Sequence, residues 1–148
     1  MTLALLAAMW PQWDHYQVFL QTAKDLTARG KPGDFEMAVV AAQMACEIYT
    51  EQAFDLILDK KKLTFLKDPV GRLVETYSLT NGKVRKLYVS LTGDRIEDSA
   101  FWQKLHEHVT RRNQVVHGGK QVTKTDAEAS CSAATELIKH LESVLKNL

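Results

Sequence analysis

An all-α protein is what the sequence predicts, on three observations. Only three prolines and seven glycines punctuate 148 residues, and the runs between them are long. Apolar residues return at spacings of three and four rather than two, the period of a helix that buries one face. Stop and start signals stand at the joints between those runs. Apolar residues make up 45% and charged residues 25% of the chain. That balance suits one globular domain spanning residues 1–148, with a core that needs no metal or disulfide staple.

The first ten residues, "MTLALLAAMW", are apolar but carry no basic leader and no cleavage site, and they are too short to span a bilayer. An N-terminal arm over residues 1–10, packing on the domain or on a partner, is the expectation. With no longer apolar run in the chain, the expected location is the cytoplasm. A helix is expected from about Trp13 to Ala28, and "ARGKPGD" ends it, with Asp34 as the cap of the next. That second helix should reach Lys60. Its centre, "MAVVAAQMACEIY", is apolar nearly all round, which marks a helix buried by several neighbours. "DKKKL" then suits a solvated helix C-terminus. Residues 69–96 should be mostly helical, with a turn at Asn81 and Gly82.

A helix beginning at an Asp98/Ser99 cap is expected to end near Gly118. The last helix carries Ala127, Cys131, Ala134, Ile138, Leu141, Leu145 and Leu148 in one unbroken stripe. "TDAE" before it reads as a capping box, with Thr125 the cap and Glu128 its partner. Cys46 and Cys131 both lie inside apolar helical patterns, as buried thiols do. A net charge of +1 gives no long-range pull on a polyanion, so any nucleic-acid contact needs a local basic patch.

The chemistry concentrates in "RRNQVVHGG", residues 111–119. Trp102, Leu105 and Val109 form an apolar stripe whose next positions in register are Arg112 and Val116. A guanidinium on a core-facing stripe needs a partner or a ligand, because burying it unpaired is costly. Arg111, about 100° away on the helical wheel, reads as solvated. Asn113 and His117 are four apart and share a face. Arg112 and His117 converge only if the helix turns before His117 or the arginine reaches across, and Gly118 and Gly119 tolerate the left-handed conformation of a helix stop. A polar C-terminus that complements the helix dipole is the plain alternative. Glu47, on the apolar second helix, either pairs with Arg112 or begins the exposed part of that helix, and Gln43 one turn earlier has a weaker claim. His106 and His108 fall on different helix faces, no carboxylate or Cys completes a site with them and nothing resembles HExxH, so they read as solvated and not as metal ligands.

Arg112-Asn113, three further residues, then His117-Gly118, between an amphipathic helix and a final helix, resembles the motif of the HEPN superfamily. The resemblance implies an up-and-down bundle of four to five helices and a metal-independent endoribonuclease that needs no cofactor. Two copies would face one another across a composite active site. It implies Arg112 on the scissile phosphate, Asn113 orienting it, and His117 as general base or acid, giving a 2′,3′-cyclic phosphate. RNA is then the substrate, and a homodimer with an antitoxin or other protein partner, in toxin–antitoxin or phage defence, is the setting. HEPN toxins silenced by adenylylation carry a tyrosine two residues after the histidine. Gly119 stands there, so that control is not implied. A non-catalytic HEPN module for protein interaction is the alternative from a different class.

Overall fold

The computed structural model describes residues 14–148, and the arm expected over residues 1–10 lies outside them, as does Trp13. Six α-helices run through the described residues with no strand among them: α1 (His15–Arg29), α2 (Asp34–Lys60), α3 (Lys67–Leu73), α4 (Gly82–Thr92), α5 (Trp102–Gly118) and α6 (Lys124–Lys146). The all-α class holds, while the count exceeds the expected four to five. Two short helices, α3 and α4, occupy the stretch whose sequence signals are weakest.

Four long helices make the bundle. α1 turns back on α2 through Gly33, which takes a left-handed φ of 85° at the cap. Asp34 is therefore not the cap: it is the first helical residue, and its carboxylate receives Arg29 Nε and Nη2 at 2.7 Å and Lys31 N at 2.9 Å. Tyr16 packs edge-on against Tyr49, 4.7 Å between centroids, so α1 and α2 are antiparallel. α5 and α6 are antiparallel too, since Arg111 meets Ser130 and Phe101 meets His140. Val122 N donates to Glu36 Oε1 at 3.1 Å, which lays the end of α5 beside the start of α2.

α2 is the helix with neighbours on most sides, as its composition requires. It packs on α1, α6 and α5. The small residues Ala38, Ala42, Ala45 and Ala53 on α2, with Ala127, Ala133 and Ala134 on α6, are buried, and small side chains let helix axes approach closely. The stripe expected on α6 is buried from Ala127 to Leu145. Its cap lies one register earlier than expected. Thr123 Oγ1 accepts from Asp126 N and Asp126 Oδ2 from Thr123 N, both at 3.2 Å, so the box is Thr123–Asp126 rather than Thr125–Glu128. The chain holds two overlapping threonine boxes, and helix packing selects the first.

Between α2 and α5 the chain closes one end of the bundle. Asn81 caps α4, its Oδ1 accepting from Lys83 N and Val84 N, so the expected turn becomes a helix start. Tyr77 and Tyr88 pack around Phe54 with ring centroids 5.7 and 6.2 Å from it. No helix of the described residues is long and apolar enough to cross a membrane.

Candidate functional site

α5 carries the motif, and its burial pattern differs from the one expected. The buried positions are Phe101, Leu105 and His108, whereas Val109 is half-buried and Val116 is 48% exposed. The core-facing line is therefore rotated by roughly 50° from the Trp102–Leu105–Val109 line, which places His108 inside. Arg112 remains in register, one turn beyond His108.

His108 is a correction to the solvated reading. It is 0% exposed, neither ring nitrogen has a partner among the described residues, and its pKa is pushed down to about 4. Burial is the main cause, followed by the positive charges of Arg111 and Arg112. The ring is neutral at physiological pH. His106 is half-exposed and edge-on to Trp102 at 4.9 Å. Among the described residues no three His, Cys, Asp or Glu side chains gather as a metal site would require.

The two arginines exchange the roles expected of them. Arg111, not solvated, has a side chain only 15% exposed; its Nη1 donates to Ser130 Oγ at 2.8 Å and its Nε lies 3.7 Å from Asp126 Oδ1. It ties α5 to α6. Arg112 is half-buried, has no carboxylate partner among the described residues, and keeps a buried Nε without an acceptor. Its Nη1 donates to Asn113 Oδ1 at 3.1 Å. Glu47 does not pair with it. Glu47 Oε1 accepts instead from Gln43 Nε2 at 2.8 Å, leaving buried Gln43 Oε1 unpartnered.

Asn113 and His117 are both exposed and one helical turn apart. The helix does not turn before His117. It continues through Gly118, and Gly119 is the left-handed residue with φ 60°. Gly119 N donates to Val115 O at 3.1 Å, the 5→1 bond of a left-handed glycine stop, and Lys120 N reaches back to Gln114 O, also at 3.1 Å. Arg112 and His117 thus stay about 140° apart around α5. Within one chain the structure joins Arg112 to Asn113 and sets Asn113 beside His117, but it does not bring all three onto one point.

α2 and α5 are antiparallel, with the start of α2 beside the end of α5. Met37 and Met44, two turns apart on one face of α2, are 56% and 40% exposed, and Val116 on α5 is exposed as well. A groove of about 560 Å³ runs along the outer flank of α5, past Trp102, His106, Thr110 and Gln114 to Lys120, and it does not take in Arg112, Asn113 or His117.

A second polar cluster escaped the sequence. Asp94 Oδ2 accepts from the Tyr88 hydroxyl at 2.6 Å and meets His140 Nε2 at 2.7 Å, joining α4, the following loop and α6. Burial, then the bond to Asp94 and its charge, pushes the Tyr88 phenol far up, so it stays a donor. Residues 88, 94 and 140 share no motif, and only the fold assembles them. No protein-family model, characterised protein or solved structure matches the chain.

Proposed function

We propose that the chain is an HEPN-type, metal-independent endoribonuclease that works as a homodimer. The observation that carries the reading is the Arg112–Asn113–His117 constellation on the last turns of α5. A guanidinium with no carboxylate partner among the described residues is bonded to Asn113, and an exposed imidazole lies one turn beyond. The exposed apolar side chains of Met37 and Met44 on α2 and of Val116 on α5 support a second copy packing on the bundle. Two-fold packing would face each Arg112 and Asn113 toward the partner's His117, which removes the 140° separation found within one chain.

In such a seam Arg112 holds the scissile phosphate through its free Nη2 and stabilises the charge that develops on it. One His117 takes the proton of the ribose 2′-hydroxyl. The freed oxygen attacks phosphorus, the bond from phosphorus to the 5′-oxygen breaks, and the leaving oxygen takes a proton from the partner's His117. The products are a 2′,3′-cyclic phosphate and a 5′-hydroxyl. A near-neutral net charge means that affinity for RNA rests on this local cation and not on a global field. Single-stranded RNA, in a toxin–antitoxin or phage-defence setting with an antitoxin or other protein partner, fits a site exposed on a helix edge.

The test is cleavage of labelled single-stranded RNA in EDTA by wild type and His117→Ala, with a solution mass measurement of each. Chelator-resistant cleavage ending in a cyclic phosphate, and lost in the variant, supports the reading. A dimer that never cuts a panel of RNAs points to the non-catalytic interaction module, and a strict monomer removes the shared site.

A further inference from the structure

His108 is a group the proposed reaction leaves unused. It is a fully buried imidazole, and neither nitrogen meets a partner among the described residues. Such groups are rare in interiors, because a leucine in the same place would bury as well without stranding polar atoms. Its neighbours on the helix set it apart. Side chains on a helix lean toward its N-terminus, so the stem of Arg112 leans back over His108, one turn earlier. Arg112 Nε, a donor, is buried without an acceptor among the described residues. Arg111, the other cation near the ring, already donates to Ser130 Oγ and lies 3.7 Å from Asp126 Oδ1. A neutral imidazole always has one nitrogen free to accept.

We propose that His108 is the positioning residue for Arg112, accepting from its Nε–H through one bridging water and so fixing where the two Nη groups point. The reaction-level consequences rest on the ribonuclease reading; the contact itself does not. Burial keeps the ring uncharged, so it can sit under a guanidinium without repelling it. Held from below at Nε and from the side by Asn113 at Nη1, Arg112 has one nitrogen left for a phosphate, and its direction is set before substrate arrives.

The experiment compares His108→Leu, His108→Gln, Arg112→Ala and the double variant His108→Leu/Arg112→Ala in the full chain. Arginine-selective ¹⁵N NMR comes first, because it needs no activity. Slow exchange of the Arg112 Nε–H in wild type, fast in His108→Leu and partly restored in His108→Gln, supports the contact, and equal exchange in all three overturns it. Thermal melting should place His108→Leu no lower than wild type, so that a lost function is not a lost fold. With labelled single-stranded RNA, His108→Leu should lower kcat by about tenfold at little change in KM, and add nothing in the Arg112→Ala background. A wild-type kcat in His108→Leu, or an equal loss in both backgrounds, overturns the positioning role. If wild type cuts no RNA, the ribonuclease reading fails alone and the exchange data still decide the contact.

Discussion

Removing the Asp94 carboxylate should destabilise the protein in a way that a second substitution partly repairs. Asp94 Oδ2 receives both the Tyr88 hydroxyl, at 2.6 Å, and His140 Nε2, at 2.7 Å. Tyr88 is 1% exposed, so Asp94→Ala strands its hydroxyl in the interior at a cost of about 1–3 kcal/mol. The His140 contact is partly open to solvent, with side chains 25% and 21% exposed, and adds about 0–1 kcal/mol. The sum is roughly 1–4 kcal/mol, and at about 2–4 °C per kcal/mol for a chain of this length the melting temperature should fall clearly. Tyr88→Phe alone loses one hydrogen bond, about 0.5–1.5 kcal/mol. The double variant Tyr88→Phe/Asp94→Ala should be more stable than Asp94→Ala, because the orphaned hydroxyl is gone. Urea unfolding of the three variants beside wild type measures this. A double variant as unstable as the two single costs added together would refute the reasoning, and would mean that solvent takes the place of the carboxylate.

Two further outcomes follow from the geometry. Arg29 holds the Asp34 carboxyl at about 2, below its ordinary value of 3.8. The pair's stabilisation is thus fully present above about pH 4 and lost as pH falls toward 2, and Asp34→Asn should remove that segment of the acid-unfolding curve while leaving the rest. Gly119→Ala places a side chain at a left-handed φ of 60° with open space around it, so only backbone strain acts; about 1 kcal/mol should be lost in urea unfolding, and faster amide exchange at position 119 and at Lys120 should mark the loosened stop.

The site divides into what a linear pattern exposes and what it does not. Arg112, Asn113 and His117 stood out because a cation interrupts an apolar register and a glycine pair follows it. The fate of Arg111 was hidden, since Ser130 and Asp126 are 19 and 15 residues further on and reach it only when α6 folds back. His108 was misjudged for a related reason. A wheel drawn for α5 alone fits a stripe through Val109 as well as one through His108, and the positions of α2 and α6 decide between them. Glu47 went to Gln43 on its own helix, one turn away, instead of to Arg112.

The sequence by itself determined the all-α class, the extent of α2, the buried stripe of α6 and the end of α5 at its glycines. Each depends on residues within a turn or two of one another, where 3.6-residue periodicity and cap chemistry act. Only the tertiary structure decided which arginine is anchored by side chains of the next helix and which is not, that His108 is buried, and that Tyr88, Asp94 and His140 meet. Those outcomes depend on how far each helix rotates about its axis when it packs, and that rotation is set by the neighbouring helices.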